Sequence, residues 1–114
     1  MVFPSSNHLE CCDNLNIAIP KNPSEDIDGL YKIIRGRSTG KRPTYSGLGH
    51  VLEYKEGMEG TNTNKWVISN ENGKEMNVFF NDLRNEMQCP ERVMASGNTW
   101  SGTHGVVIEC GLFI

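Results

Sequence analysis

The fold is decided by the stretch Gly29–Asn70, which reads GLYKIIRGRSTGKRPTYSGLGHVLEYKEGMEGTNTNKWVISN. It contains three short apolar pieces, Leu30–Ile34, Val51–Tyr54 and Trp66–Ile68, separated by polar connections that are rich in glycine. Each piece contains β-branched or aromatic residues, the composition that strands favour. The stretch therefore predicts three strands joined by loops.

A hairpin is predicted at the end of this stretch. Lys65–Ser69 and Met76–Phe80 flank the sequence Asn70-Glu71-Asn72-Gly73. The dipeptide Asn-Gly suits the tight turns between antiparallel strands, because both residues tolerate a positive φ. This is the strongest local structural signal in the chain.

Further strands are predicted near both ends of the chain. Leu15–Ile19 and Val106–Cys110 each place apolar residues at every second position, the period of a half-buried strand. About seven short strands with no long helical period predict an all-β fold, a small antiparallel sandwich or barrel. One short helix is predicted over Asn81–Met87, capped by Asp82 and ended by Cys89-Pro90. The basic, glycine-containing stretch Gly36–Lys41 is predicted to be a loop.

Size and charge narrow the class of protein. A chain of 114 residues is predicted to form one domain, 1–114, with a loosely held start at residues 1–10. The net charge of -3 is too small to indicate a nucleic-acid or membrane surface as the partner. No apolar run approaches the ~18 residues of a membrane span, and the first ten residues lack the pattern of a secretory signal.

The four cysteines, Cys11, Cys12, Cys89 and Cys110, can pair in three ways. A bridge from Cys11 or Cys12 to Cys110 would close a loop of about 100 residues. In the chain-entropy model such a bridge raises the free energy of unfolding by on the order of 4 to 5 kcal/mol. Disulfides would favour an extracellular setting. Free thiols in a cytoplasmic protein are an alternative. Metal ligation is a third, although the spacing lacks the paired knuckles of zinc sites.

A basic cluster is the first candidate for ligand binding. Arg35, Arg37, Lys41 and Arg42 place four positive charges within eight residues. The stretch does not match a phosphate-binding loop, because only three residues separate its glycines and arginine follows the lysine. We interpret it as a site for a sulfated or phosphorylated ligand, with a solvated loop as the alternative.

Acidic residues and histidines give weaker signals. Glu25, Asp26 and Asp28 are a weak calcium candidate, because the spacing of an EF-hand fails at the position of its last ligand. The histidines, His8, His50 and His104, share no metal-ligand spacing. No cofactor is therefore predicted, and no cysteine is marked as an activated nucleophile.

The aromatic residues have two interpretations. Rings in small sheets usually pack in the core, and Trp66 alternates with Ile68 as a core residue would. Trp100 lies among loop-forming residues and is predicted to be exposed. We interpret Trp100 with Asn98 as a site for stacking and hydrogen bonding to a sugar or a protein partner.

Short motifs built on aromatic residues and cysteines follow one another in the order Gly29-x-Tyr31, Gly40-Lys41-Arg42-Pro43-x-Tyr45, Leu52-x-Tyr54, Trp66-x-Ile68, Cys89-Pro90, Trp100 and Ile108-x-Cys110. This order resembles a cysteine-framed module that recurs in secreted, multi-domain proteins of marine invertebrates. The resemblance implies that Cys11 or Cys12 opens the module and that Cys110 closes it. It also implies an extracellular, non-catalytic module without a settled ligand.

The expected function is therefore a disulfide-stabilised extracellular binding module that recognises a carbohydrate or another protein. One alternative is a structural protein that self-assembles through strand edges and the apolar end Leu112-Phe113-Ile114. Another is a small enzyme that uses a free cysteine with His50 or His104.

Overall fold

The structure is a computed structural model that describes residues 11–18, 29–39, 42–57, 63–84, 86–101 and 106–111. Within the strands, Arg35, Thr39 and Asn77 are described by their backbone alone. Several predicted residues lie outside the described part, namely Glu25, Asp26, Asp28, Lys41, His8, His104 and the apolar end 112–114.

In the described part of the chain, seven antiparallel strands form one sheet that curls into a half-barrel. They are β1 (Asn14–Ala18), β2 (Gly29–Thr39), β3 (Arg42–Gly47), β4 (His50–Lys55), β5 (Lys65–Asn70), β6 (Glu75–Asn81) and β7 (Val107–Cys110). Their order across the sheet is β6-β5-β4-β3-β2-β1-β7, so only β7 leaves the sequential order. The prediction of a mainly β fold with about seven short strands is confirmed.

One face of the sheet carries the main core. Tyr45 lies opposite Leu52, and Leu52 lies opposite Ile68, so an apolar row crosses β3, β4 and β5. Tyr54 pairs with Trp66 in the next row, with ring centroids 5.4 Å apart in an edge-to-face arrangement. All five side chains are almost fully buried. The transfer of each one out of water stabilises the folded state by on the order of 2 kcal/mol. The core position predicted for Trp66 is confirmed.

The predicted hairpin between β5 and β6 is also confirmed. The Gly73 N–H donates to the Asn70 carbonyl at 3.0 Å, and the Asn70 N–H donates to the Lys74 carbonyl at 2.9 Å. The side-chain oxygen of Asn70 accepts from the N–H groups of Asn72 and Lys74. Gly73 has a φ of +85°, which glycine adopts without steric cost.

The turn between β3 and β4 contains an unusual residue. Gly47 pairs with His50, and both residues between them, Leu48 and Gly49, have positive φ, at +56° and +77°. Such two-residue turns favour asparagine or glycine, whereas leucine is sterically strained there. The Leu48 side chain is half exposed and packs over Gly29, where a Cβ atom would come within 2.6 Å of Leu48 Cδ1.

The prediction that Gly36–Lys41 is a loop is wrong for most of its length. Strand β2 continues to Thr39, which pairs with Arg42. The register shifts between Ile33 and Ser38, and Gly36 has a φ of +80°. A positive φ at a glycine within a register shift is typical of a β-bulge. The glycine therefore bends a long hairpin, and the strands do not end there.

The helix predicted over Asn81–Met87 is absent from the described residues of that stretch. The carboxylate of Asp82 does accept hydrogen bonds from the N–H groups of Glu86 and Met87, but these bonds hold a loop. The structure places a short 3-10 turn later, at Pro90–Arg92. Proline starts this turn, because its fixed φ and missing N–H suit the first helical position.

Two disulfides, Cys11–Cys89 and Cys12–Cys110, frame the sheet. The predicted bridge from the vicinal pair to Cys110 is confirmed, and Cys11 and Cys12 are not bridged to each other. The second bridge joins the residues before β1 to the end of β7, and the first fastens residues 86–101 to the same point. Two disulfides favour an oxidising, extracellular setting.

Residues 86–101 lie between the two edges of the sheet. Ser101 and Phe79 of β6 exchange two backbone hydrogen bonds at 2.7 and 3.2 Å. Strand β7 starts at Val107 and pairs with β1 at the opposite edge. The chain between Ser101 and Val107 can span at most on the order of 20 Å, so the two points of attachment lie no farther apart than that. Met87, Val93 and Trp100 pack into the core from this segment.

Candidate functional site

A cavity of about 530 Å³ opens where β6 meets residues 82–98, and we call it the 80–98 pocket. Phe80, Leu83 and Met87 give it an apolar part. Its polar lining consists of Asn81, Asp82, Arg84, Glu86, Gln88, Arg92, Ser96 and Asn98. A volume of this size falls in the range of small-ligand sites. The pocket combines an aromatic ring with amide, hydroxyl and charged groups.

A buried ion pair supports the pocket from the sheet side. The Arg42 side chain is about 5% exposed and the Asp82 side chain about 3%, and Nη2 lies 3.7 Å from Oδ2. The Arg42 Nε–H donates to the Met87 carbonyl at 2.7 Å, and the guanidinium lies 4.0 Å from the centroid of the Tyr54 ring. A buried charge requires such compensation, because leaving water costs several kcal/mol. Arg42 therefore joins β3 to the loop that lines the pocket.

Asp82 is the centre of this network. Its Oδ2 accepts from the Tyr54 hydroxyl at 2.7 Å and from the Met87 N–H at 3.0 Å, and its Oδ1 accepts from the Glu86 N–H at 3.1 Å. Burial, followed by the hydrogen bond to Asp82, raises the pKa of Tyr54, so its hydroxyl stays protonated as a donor. The Trp66 indole also donates to the Met87 carbonyl, at 3.1 Å. The loop that carries Glu86, Met87 and Gln88 is thus fixed to β4 and β5.

The far wall of the pocket is held by local hydrogen bonds. The Ser96 N–H and hydroxyl both donate to the Arg92 carbonyl, and the Asn98 N–H donates to the Val93 carbonyl. The Asn98 amide donates to the Ser96 hydroxyl at 3.2 Å, and both side chains remain exposed. Asn98, which is predicted to bind a ligand, is one of the residues that line the pocket.

The exposure predicted for Trp100 is wrong. Trp100 is 6% exposed, and its ring packs against Phe80 with the centroids 6.3 Å apart. The cause is the bridge between Ser101 and Phe79, which joins this segment to the edge of β6. The indole N–H of Trp100 is buried and has no hydrogen-bond partner among the described residues. Trp100 thus supports Phe80, which is the aromatic ring that lines the pocket.

The structure does not assemble the predicted basic site within the residues it describes. Arg42 is buried in the network with Asp82 and is not accessible to an anionic ligand. The Arg37 side chain is 54% exposed and lies 3.4 Å from Glu53. The side chain of Arg35 and all of Lys41 lie outside the described part. The spacing of charges in the sequence could not reveal that Arg42 pairs with a residue forty positions later.

Arg84 and Arg92 are the basic residues that the sequence reasoning missed. Both are exposed and line the 80–98 pocket, with Glu86 as an exposed acidic neighbour. The signal available was that residues 81–98 hold many charged and amide side chains around a single proline. The sequence pattern alone predicts a short helix followed by a proline break there, and that prediction does not bring the two arginines together.

The two disulfides meet at Glu91, outside the pocket lining. One Glu91 oxygen, Oε2, accepts from the Cys12 N–H at 3.0 Å, and the Cys12 carbonyl accepts from the Tyr45 hydroxyl at 2.6 Å. Burial raises the pKa of the Glu91 carboxyl and, as the largest cause, the pKa of Tyr45. All four cysteines of the chain lie in the described part and are bridged, so none offers a free thiol in this state.

A scan against protein-family models, a search of curated proteins and a search of solved structures each found no match. Within the described part of the chain, no helix is long and apolar enough to cross a membrane.

Proposed function

We propose that this chain is a non-catalytic extracellular binding module that recognises a carbohydrate in the 80–98 pocket. The observation that carries the proposal is the lining of this pocket, in which exposed amides and the Ser96 hydroxyl line the same cavity as the aromatic residue Phe80. Sugars present C–H faces that pack on aromatic rings and hydroxyls that pair with amides and charged planar groups. The pocket offers both kinds of contact within one cavity.

The support for the pocket favours recognition by a preformed surface. The loop with Glu86 and Gln88 is fixed by Asp82, and the wall with Asn98 is fixed by Ser96. Preorganised polar groups lose little conformational entropy on binding, so more of the contact free energy remains as affinity. An oxidising setting, favoured by the two disulfides, agrees with a module that meets glycans outside the cell.

The experiment is a glycan-array screen of the oxidised protein, followed by titration of the strongest hit in solution. Asn98→Ala and Gln88→Ala remove polar groups from the pocket, while Asn16→Ala removes an exposed amide from β1 as the matched control. We expect each pocket variant to lower affinity by roughly fivefold to tenfold, the effect of about one hydrogen bond. The control variant should bind like the unmodified protein.

Two results would contradict the proposal. One is a folded, oxidised protein that binds no glycan on the array. The other is a glycan whose affinity is the same for Asn98→Ala, Gln88→Ala and the unmodified chain, because the sugar would then bind elsewhere. A protein partner that binds both pocket variants as tightly as the unmodified chain would also contradict the proposal, because its binding site would lie outside this cavity.

A further inference from the structure

The corner where the two disulfides meet contains an unusual set of metal-ligating atoms. The Sγ atoms of Cys12 and Cys110 and a carboxylate oxygen of Glu91 lie within 4.8 Å of one another. The same holds for Cys11, Cys89 and Glu91. The Glu91 carboxylate therefore lies near the sulfurs of both bridges. In this state each pair of sulfurs is joined as a disulfide.

We propose that reduction of the Cys12–Cys110 disulfide creates a binding site for a thiophilic divalent cation such as Zn²⁺, formed by Cys12, Cys110 and Glu91. The reductant is a dithiol. One of its thiolates attacks a sulfur of the bridge and breaks the S–S bond, and its second thiol then displaces the remaining protein sulfur. The protein gains two thiols, and the dithiol becomes a cyclic disulfide.

The two bridges differ in their access to a reductant. Cys110 is exposed and Cys12 is half-buried, whereas Cys11 and Cys89 are 6% and 1% exposed. Thiol–disulfide exchange requires that the attacking thiolate reach a sulfur in line with the bond. A dithiol therefore reaches the Cys12–Cys110 bridge first. The buried bridge continues to fasten residues 86–101 to the residue next to Cys12.

Contacts that do not depend on the bridge keep both thiols in place. Cys110 lies in β7, opposite Leu15 of β1, and the following N–H, of Gly111, donates to the Asn14 carbonyl at 2.8 Å. Cys12 is held through its N–H by Glu91 and through its carbonyl by the Tyr45 hydroxyl. The Cα atoms of the two cysteines are 5.7 Å apart. Breaking the S–S bond thus leaves the sulfurs free to separate by side-chain rotation while the backbone stays anchored.

The third ligand is already positioned. Oε2 of Glu91 is engaged by the Cys12 N–H, while Oε1 is buried and has no hydrogen-bond partner among the described residues. An unpaired buried carboxylate oxygen is unfavourable and is satisfied when it binds a cation. Two thiolates and one carboxylate suit Zn²⁺, and a tetrahedral ion would keep a fourth position for water. Metal binding displaces the protons of the two thiols.

The first part of the test is selective reduction. The folded protein is treated with increasing amounts of a dithiol, alkylated without denaturant and mapped by mass spectrometry. We expect a range of reductant in which Cys12 and Cys110 are alkylated and Cys11 and Cys89 are not. Loss of both bridges together at every concentration would overturn the proposal.

The second part is a titration of the selectively reduced protein with Co²⁺ and then with Zn²⁺, without oxygen. Tetrahedral thiolate-bound Co²⁺ absorbs visible light, and Zn²⁺ should displace it and remove the colour. Glu91→Gln should lower the Co²⁺ affinity by roughly tenfold or more, since even groups that only support a ligand are worth roughly 10- to 100-fold. Glu91→Asp should recover part of the loss.

Glu109→Gln is the matched control, because Glu109 is an exposed carboxylate next to Cys110 that the proposed site does not use. It should leave metal affinity unchanged. The proposal is overturned if the reduced protein gives no thiolate-to-cobalt absorption, or if Glu91→Gln and Glu109→Gln bind Co²⁺ equally well. Glycan binding by the oxidised protein does not enter either part of this test.

Discussion

Asp82 forms an ion pair with the buried guanidinium of Arg42 and also fixes the loop beside the pocket. Removing one partner of a buried ion pair usually costs more than the pair contributes, because the other charge stays buried. Asp82 also satisfies the Tyr54 hydroxyl and two backbone N–H groups. A neutral residue at this position therefore affects stability and the shape of the pocket together.

We predict that Asp82→Asn lowers the free energy of unfolding by about 3 kcal/mol. The measurement is denaturant unfolding of the oxidised protein. Glu75→Gln is the control, because Glu75 pairs with Lys55 and Lys65 on the exposed surface and its removal should cost less than about 1 kcal/mol. Equal, small effects of the two variants would show that Arg42 does not depend on Asp82 for its charge compensation.

Replacing Leu48, which has a strained positive φ, is predicted to stabilise the protein rather than destabilise it. A positive φ costs a residue with a Cβ atom about 1 kcal/mol, and Asn-Gly is a preferred sequence for such a turn. Leu48→Asn should therefore raise the free energy of unfolding by about 1 kcal/mol. Thermal unfolding measures it. A less stable variant would show that packing of Leu48 over Gly29 outweighs the backbone strain.

At the scale of elements, charge pairing across three strands stabilises the outer face of the sheet. Glu75 of β6 accepts from Lys65 of β5 at 2.7 Å and from Lys55 of β4 at 3.1 Å. The hydrogen bond from Lys65, the largest cause, lowers the pKa of Glu75 below its usual range. A carboxyl whose pKa is lowered in the folded state stabilises the fold above its unfolded pKa and loses that contribution as pH falls through the folded pKa.

We therefore predict that the difference in unfolding free energy between the unmodified protein and Glu75→Gln is largest near neutral pH. It should shrink as pH falls below about 4.5, the usual range of a glutamate. The difference at pH 7 should stay under about 1 kcal/mol, because the pair is exposed, and it should weaken in high salt. A difference that does not change with pH would show that the ion pairs contribute nothing.

Strands and their turns could be predicted from the sequence because their signals are local. The alternation of apolar and polar residues before Pro20 predicts a strand, and the Asn-Gly at residues 72–73 predicts a turn. Each of these patterns depends on only a few neighbouring residues. The 82–101 region could not be predicted, because its conformation depends on distant partners. From the sequence alone Asp82 is expected to cap a helix, but in the structure it binds Arg42 and Tyr54. Trp100 is expected in an exposed loop, but the pairing of Ser101 with Phe79 buries it. Of the predicted ligand-binding residues whose side chains the structure describes, Asn98 lines the pocket, whereas Arg37, Arg42 and Trp100 do not.

At the scale of the whole molecule, the two disulfides add covalent links between parts of the chain that hydrogen bonds also connect. Cys11–Cys89 links residues 78 positions apart and is the covalent connection between the start of the sheet and the region that contains the pocket. Because Cys12–Cys110 is also closed, this bridge closes an additional loop of only about 22 residues, which corresponds to roughly 3 kcal/mol of stability in the chain-entropy model.

Replacing both cysteines of this bridge, as Cys11→Ser with Cys89→Ser, should lower the free energy of unfolding by about 3 kcal/mol, because Cys12–Cys110 remains closed. The measurement is denaturant unfolding under non-reducing conditions. Because the bridge fastens residues 86–101, glycan affinity should also fall in the double variant. Unchanged stability and affinity together would mean that hydrogen bonds and core packing hold this segment against the sheet without the bridge.

The central claim is that residues 80–98 form a carbohydrate-binding pocket. Its most direct test is amide chemical-shift mapping of the oxidised, isotope-labelled protein during titration with the strongest glycan from the array. We predict that the shifted amides cluster at Phe80–Met87 and between Gln88 and Asn98, with little change in β1 and β7. Shifts centred on β1 and β7, or no shifts in the pocket at saturating glycan, would contradict the account.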